Sequence, residues 1–377
     1  MARLTQSDLI TTQPALQDML RRLDGKACVA IDTESNSMHA YTERVCLVQA
    51  SLPGADYLID PLSKSIELRA LEPLFADAGV EKVFHACEYD VISLRRDYGF
   101  AFASVYDTMW AARILGWPRV GLADILHERF GVTMNKRWQR FNWGQRPLPA
   151  DALAYARLDT RYLVRLRDLQ MRELRRTDRL EEACEVFAGL SASEAAPRDE
   201  LADGDNFWRV KGAHDLKPAA RAVLRELVVY RDGEARRADR PPFKIIGDGT
   251  LLDIARTCPA QLDQLRRVSG MSEAQVARHG VKLLRDIARG RTAAPPRAPA
   301  RQSIDRAVLE RYERLREWRK QVAAQRGVDP DVIVSNAVLM TLARRRARSD
   351  GDLDGIDGLG PWRRRTYGRA MLEVLNH

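Results

Sequence analysis

Two carboxylates, Asp32 and Glu34, stand two residues apart where the apolar run Cys28-Val29-Ala30-Ile31 ends. A short apolar run bounded by polar residues reads as a buried strand. Side chains alternate along a strand, so residues i and i+2 share one face. A strand that persists through Glu34 projects both carboxylates to the same side, roughly 6.5–7 Å apart along the backbone. Converging anions repel unless a cation stands between them, so the pair points to a divalent metal. Asp32-Thr33-Glu34 also reads as a solvated turn after a strand, and partners elsewhere in the chain must decide.

Such partners exist. Asp90, in His85-Ala86-Cys87-Glu88-Tyr89-Asp90, follows an apolar strand and opens a helix. Further on, Tyr155 and Asp159 are spaced i, i+4 in a helical pattern, which places them on one helix face. Asp32, Glu34, Asp90 and Asp159 together supply four negative charges, matching two Mg²⁺ ions. Two ions can activate water and stabilise the leaving oxygen in a phosphodiester displacement. Carboxylate oxygens suit Mg²⁺ or Mn²⁺ rather than zinc. Tyr155 would hold the attacking water by its hydroxyl, since a phenol is a poor base at neutral pH.

Nearby residues read differently. His85 ends a buried strand and reads as structural, Glu88 as solvated, Asp107 before Thr108 as a helix N-cap, and Asp60 before Pro61 as a turn residue. Lys136, Arg137, Trp138, Arg140, Trp143 and Arg146 interleave cations with aromatic rings. That mixture suits single-stranded nucleic acid, with charge on phosphates and rings on bases. Trp138 and Trp143 equally read as residues packing an irregular loop against the core.

The elements that position these groups follow in order. A helix is predicted over Gln13–Leu23, then strands at Cys28–Glu34, Arg44–Ala50 and Asp56–Asp60, the last two joined at Pro53-Gly54. A helix over Leu68–Ala78, a strand at Lys82–Phe84, a helix over Tyr89–Tyr98 and a strand at Val105-Tyr106 come next. Helical patterns dominate from Thr108 to Ala188. Such an order gives a mixed sheet flanked by helices.

The chain has 377 residues, enough for two or three domains. No long apolar run predicts a membrane span, and Met1 to Leu20 shows no signal-peptide pattern. Five cysteines without a C-x-x-C pair fit reduced thiols in a cytoplasmic protein. Net charge is −3 over residues 1–200 and +12 over residues 201–377. That asymmetry suggests chemistry in front and a grip on a polyanion behind. Short arginine runs at Arg236-Arg237, Arg240, Arg344-Arg345-Arg346 and Arg363-Arg364-Arg365 are candidates for that grip.

Small-residue or Pro/Ala-rich stretches at Ser191–Pro197 and Arg291–Ala300 divide the chain into 1–190, 205–290 and 303–377. The last two pieces repeat. A shift of 88 residues places Tyr230 on Trp318, Arg231 on Arg319, Pro242 on Pro330, Gly270 on Gly358 and Gly280 on Gly368. Each piece reads as a small bundle of short helices, and two bundles make tandem modules rather than a solenoid.

The order D-x-E, H-A-x-x-x-D, Y-x-x-x-D resembles the three motifs of the tyrosine branch of the DEDD exonuclease superfamily. Within it, Tyr57-Leu58-Ile59-Asp60-Pro61, Asp107-Thr108, the run Lys136–Leu148 and Asp159-Thr160-Arg161-Tyr162-Leu163 are similar to the bacterial ribonuclease D family. The paired bundles are similar to its HRDC (helicase-and-RNase-D C-terminal) domains. The resemblance implies a ribonuclease H-like α/β exonuclease domain over 1–190, followed by two all-α HRDC-like bundles. It implies 3′→5′ hydrolysis of RNA to nucleoside 5′-monophosphates, with tRNA precursors and other stable RNAs as substrates. It assigns Asp32, Glu34, Asp90 and Asp159 to two divalent ions, with Asp32 bridging and Glu34 on the water side, and Tyr155 to the water. Two further readings use the same residues: a DNA-directed 3′→5′ exonuclease, and an RNA-binding scaffold that no longer cleaves.

Overall fold

The computed structural model describes residues 9–193, 205–297 and 304–376. Its centre is a six-stranded mixed sheet. The strands are β1 (Leu9–Ile10), β2 (Cys28–Ser35), β3 (Val45–Leu52), β4 (Ala55–Ile59), β5 (Glu81–Phe84) and β6 (Val105–Asp107), arranged β1-β4-β3-β2-β5-β6. β2, β3 and β4 form an antiparallel meander, while β5 and β6 add in parallel beside β2. Every residue of β3 is buried, which is why Val-Cys-Leu-Val reads as a continuous apolar run rather than an alternating one. β2 lies inside the sheet, so the carboxylates at its C-terminal end start from a fixed backbone.

Helices cover the sheet: α1 (Gln13–Leu23), α2 (Glu72–Ala76), α3 (Glu88–Tyr98), α4 (Thr108–Leu115), α5 (Leu122–Phe130), α6 (Ala150–Arg161), α7 (Leu163–Arg176) and α8 (Leu180–Ser191). The single helix expected over Leu68–Ala78 is instead a 3₁₀ turn, Leu68–Leu71, followed by α2. Pro73 lacks the N–H that a continuous helix would donate to Arg69, so the helix restarts around it. The main core joins Leu16, Met19 and Leu23 of α1 to Val29 and Ile31 of β2, Phe75, Phe84 and Leu94.

Two compact units result among the described residues. One comprises 9–35, 45–193 and 304–376; the other comprises 36–44 and 205–297. Glu194–Pro197 of the first expected linker and Ala298–Ala300 of the second lie outside the described residues.

In the second unit, α9 (Pro218–Arg237), α10 (Asp248–Thr257), α11 (Leu262–Arg266) and α12 (Glu273–Thr292) enclose a core of Phe207, Leu224, Leu227, Leu251, Leu265 and Leu283. The β2–β3 connector packs on this bundle. Tyr41 donates its hydroxyl to the Asp232 carboxylate at 2.8 and 3.0 Å, and its backbone N–H donates to Asp239.

The last bundle is α13 (Arg306–Arg326), α14 (Pro330–Ile333), α15 (Asn336–Arg345) and α16 (Pro361–Asn376). It packs on the exonuclease fold within the first unit. Arg326 forks onto Glu182 of α8 at 2.6 and 2.9 Å, Arg363 pairs with Glu185, and Val332 joins the main core. Gly116, at φ 76°, lies where a Cβ would come 2.5 Å from the carbonyl of Gly327, so no larger residue fits that contact.

The repeat holds at the level of single hydrogen bonds. Arg231 donates to the carbonyl of Ile246 and to Asp248. Arg319 donates to Val334 and Asn336, each 88 residues later. No helix among the described residues is long and apolar enough to cross a membrane.

Candidate active site

Each carboxylate is held by a different device. β2 persists through Glu34, pairing Asp32 with Gln49 and Glu34 with Leu47 before a bulge at Ser35. Asp32 and Glu34 therefore do share a face. Asp159 rides on α6, which is locked to the sheet by Thr160 Oγ1 against Ser51 Oγ at 2.6 Å and by Arg161 on Asp56. Asp90 sits in the first turn of α3. The turn before that helix, with Ala86 at φ 64°, is held by Asp107, whose carboxylate accepts from the N–H groups of Ala86 and Cys87. Asp107 also caps α4 through Met109 and Trp110, so one buried aspartate fixes two helix starts.

Oxygens of Asp32, Glu34 and Asp159 lie within 4.8 Å of one another. Asp90 stands beside this cluster rather than in it. Its Oδ1 accepts from the Thr33 hydroxyl at 2.5 Å and the Thr33 N–H at 3.1 Å. Its charge still reaches all three of the others. Tyr155 is buried and its hydroxyl hydrogen-bonds Asp159.

Electrostatics follow from that crowding. Burial and neighbouring carboxylates push Asp32 and Glu34 well above the usual carboxylate range. Burial takes Asp90 up to about 7 against the two Thr33 hydrogen bonds, which lower it. Burial takes Asp159 up to about 8, opposed by the Tyr155 hydrogen bond. Burial and the same anions raise Tyr155, keeping it a neutral phenol.

The donor set fits a hard divalent cation. All the ligand atoms are carboxylate oxygens, and Asp159 Oδ2 is buried without any hydrogen-bond partner. A buried carboxylate oxygen with no donor is costly unless a cation meets it.

Asp32, Thr33, Glu34, Tyr155 and Asp159 line a cleft of about 430 Å³ together with His85, Met109, Asp124, Lys136 and Gln139. His85 touches Thr108 Oγ1 at 2.9 Å, and burial lowers it to about 4, so it is a neutral structural residue. Sequence reading missed Thr33, Gln139 and Asp124. Thr33 carried a signal, its place between the two acids; the other two carried none.

The basic-aromatic run divides on inspection. Lys136 lines the cleft and Arg140 is exposed. Trp138 and Trp143 instead belong to a hydrophobic cluster with Cys46, Leu58, Leu153 and Tyr155. Trp143 is 1% exposed, so its ring offers no face to a base. Arg146 is turned inward: it forks onto Asp60 at 2.7 and 2.8 Å and donates to the Cys46 carbonyl. Its guanidinium is committed to holding the loop after β4, and Asp60 is its buried partner as well as a turn residue.

Several arginines of the C-terminal runs are likewise engaged in protein contacts. Arg363 is buried against Glu185 and the carbonyls of Val332 and Ile333. Arg364 pairs with Asp350, Arg365 with Glu181, and Arg236 with Asp232.

A family model for a 3′-5′ exonuclease matches residues 8–175. A model for the HRDC domain matches residues 220–287 and again 308–375. Among curated proteins, the chain is similar to Ribonuclease D of Gluconacetobacter diazotrophicus, 30% identical over 372 residues, covering 97% of this chain and 92% of that protein. It is also similar to the exosome complex exonuclease RRP6 of Saccharomyces cerevisiae, 28% identical over 74% of this chain and 40% of that protein. The crystal structure of Escherichia coli RNase D shares the fold, with a TM-score of 0.71 at 22% identity over 100% of this chain and 99% of that one. The catalytic core of RRP6 from Trypanosoma brucei aligns with a TM-score of 0.64 at 26% identity, over 75% of this chain and 79% of that core. DEDD-type exonucleases depend on divalent metal, and the acidic cluster lies inside the matched exonuclease segment. The match at 30% identity over nearly the whole chain, with the exonuclease segment and both HRDC segments in the same chain, places this protein in the ribonuclease D family.

Proposed function

We propose that this chain is a metal-dependent 3′→5′ exoribonuclease that releases nucleoside 5′-monophosphates. The observation that carries the reading is the cluster of Asp32, Glu34 and Asp159 in an open cleft, with Asp159 Oδ2 buried and without a donor. Asp32, Glu34, Asp90 and Asp159 would hold two Mg²⁺ or Mn²⁺ ions. Bound there, the ions supply Lewis acidity for the water and charge stabilisation for the leaving oxygen. Asp90 contributes through a carboxylate already oriented by Thr33. Tyr155, kept neutral by burial, orients the attacking water through its hydroxyl and does not act as a base. Lys136 on the cleft wall meets the phosphate backbone of the entering strand. A grip on phosphate rather than on base edges suits cleavage that ignores sequence.

The substrates we infer are RNAs with single-stranded 3′ ends, tRNA precursors among them, met in the cytoplasm. The names of the relatives support RNA: ribonuclease D, and an E. coli exoribonuclease involved in structured RNA processing.

The test uses end-labelled single-stranded RNA and DNA, 3′-blocked or free, with Mg²⁺ or EDTA. Mg²⁺-dependent loss of nucleotides from free 3′ ends of RNA is expected. Faster cleavage of DNA would move the substrate, and hydrolysis in EDTA would remove the metal. Asp159→Asn should abolish hydrolysis while RNA binding persists; retained activity would overturn the ligand assignment.

A further inference from the structure

Asp124 is a carboxylate of the cleft that neither the metal cluster nor the fold accounts for. It lies in the first turn of α5, half-buried on the cleft wall. The next residue, Ile125, is buried in the main core, so the helix start is anchored and Asp124 has a fixed place on the wall. An acid three residues after the helix cap commonly reaches back to an N–H of the helix start. Here, among the described residues, no hydrogen bond or ion pair engages the Asp124 carboxylate. It also stands outside the group of Asp32, Glu34 and Asp159 oxygens.

The chemistry of the cleft narrows what such a group can meet. A carboxylate accepts hydrogen bonds and donates none, and it repels the phosphates of an entering strand. What a nucleotide offers it are donors: the ribose hydroxyls and the amino groups of the base. Met109, Leu122 and Met134 give the cleft an apolar lining, which suits the face of a base rather than its edge. Lys136 supplies the positive charge for phosphate. Gln139 both donates and accepts, so it does not distinguish a hydroxyl from another oxygen. At about 430 Å³ the cleft has room for a terminal nucleotide and little more. Asp124 is left as the acceptor for the sugar.

We propose that Asp124 accepts hydrogen bonds from the vicinal 2′- and 3′-hydroxyls of the 3′-terminal ribose, and so selects RNA ends over DNA ends. The proposal rests on the exoribonuclease reading and names the residue behind its sugar preference. Two neighbouring hydroxyls match the two oxygens of one carboxylate, the same pairing by which an acid holds ribose in dinucleotide-binding folds. DNA keeps the 3′-hydroxyl and lacks the 2′, which is the group that tells the two nucleic acids apart.

The test uses the full chain and short oligoadenylates identical except in the last sugar, which is ribose, 2′-deoxyribose or 2′-fluoro-2′-deoxyribose. In parallel, calorimetry in Mg²⁺ measures the affinity for adenosine 5′-monophosphate and its 2′-deoxy form, which needs no cleavage. The wild-type chain should favour the ribose end in kcat/KM by roughly 10- to 100-fold, the size of a hydrogen bond to a charged group. Fluorine accepts but does not donate, so the fluoro end should behave as the deoxy end. Asp124→Ala should bring the ratio close to one through loss on the ribose end. Asp124→Asn, which keeps one acceptor oxygen, should retain part of it. The ratio of the two monophosphate affinities should follow the same order. A wild-type chain that treats the three sugars alike overturns the proposal. So does an Asp124→Ala chain that keeps the wild-type ratio, or that loses all three ends equally as a structural role predicts. A wild-type chain that removes no nucleotides overturns the exoribonuclease reading instead, and the monophosphate affinities still decide the role of Asp124.

Discussion

Asp90 Oδ1 accepts two hydrogen bonds from one residue, the hydroxyl of Thr33 at 2.5 Å and its N–H at 3.1 Å. Thr33 is the residue between Asp32 and Glu34, and its backbone is fixed opposite Val48 in the sheet. The start of α3 is thereby tied to the strand that carries the other two acids. Thr33→Val keeps the β-branched shape and removes the hydroxyl bond. A hydrogen bond to a charged group contributes about 1.5–3 kcal/mol, so the Mg²⁺ concentration for half-maximal rate should rise about tenfold or more. Titration of rate against Mg²⁺ checks this, and an unchanged midpoint would remove Thr33 from the positioning of Asp90.

The raised carboxylates predict a pH dependence of stability whose sign is fixed. Asp90 and Asp159 stand at about 7 and about 8 in the folded chain, against about 4 when unfolded. Between those values the folded state holds protons that the unfolded state has released. Stability of the metal-free protein therefore falls as pH rises from about 4 to about 8. Divalent metal binds the deprotonated carboxylates, so Mg²⁺ should raise Tm more at pH 8.5 than at pH 5.5. Asp159→Asn should flatten the metal-free slope and shrink the Mg²⁺ effect. Thermal melts with EDTA or Mg²⁺ across pH are the measurement; a metal-free Tm that climbs over this range would contradict the burial of these groups.

Docking of the last bundle depends on a buried ion pair. The Glu182 side chain is fully buried, while that of Arg326 is partly exposed. Removing one partner strands the other charge, a loss of about 3–5 kcal/mol. Arg326→Ala should show that loss in urea unfolding, with RNA affinity unchanged. Arg363→Ala, which leaves Glu185 the N–H groups at positions 362 and 363, should show a smaller loss in the same direction. A reduced salt slope in either variant would instead return that arginine to the RNA.

Lys136 and Trp143, seven residues apart in one segment, should respond oppositely. Trp143 packs near Phe141 and Tyr155, with ring centroids 5.2 and 6.4 Å away. Trp143→Ala should therefore cost about 3–5 kcal/mol of stability. Lys136→Ala, on the exposed cleft wall, should leave stability within about 0.5 kcal/mol and raise KM for RNA several-fold. Reversed outcomes would return the tryptophan to substrate contact.

Local spacing was sufficient for much of this protein. Alternation along β2 made Asp32 and Glu34 neighbours on one face, and helical spacing paired Tyr155 with Asp159; both relations hold because they depend only on the backbone repeat. The offset of 88 residues was legible because equivalent residues make equivalent bonds, as Arg231 and Arg319 do. The helix expected over Leu68–Ala78 is broken near Pro73, whose ring nitrogen has no N–H to continue the ladder despite the apolar periodicity.

Tertiary structure alone decided what long-range packing controls. That Asp159 joins Asp32 and Glu34 while Asp90 turns to Thr33 depends on α6 locking to β3 and β4 and on Asp107 setting the start of α3. Trp143 is core rather than platform because the loop around it folds onto β3 and α6, and Arg146 points inward because Asp60 is buried there. The arginine runs looked alike in sequence, yet Arg363 meets Glu185, 178 positions away along the chain. Charge along a sequence has no direction; packing gives it one. The sequence by itself determined which residues could do the chemistry, because bonding geometry within one strand or helix is local. Only the fold determined which of them meet, because contacts between distant segments are set by how whole elements bury their apolar faces.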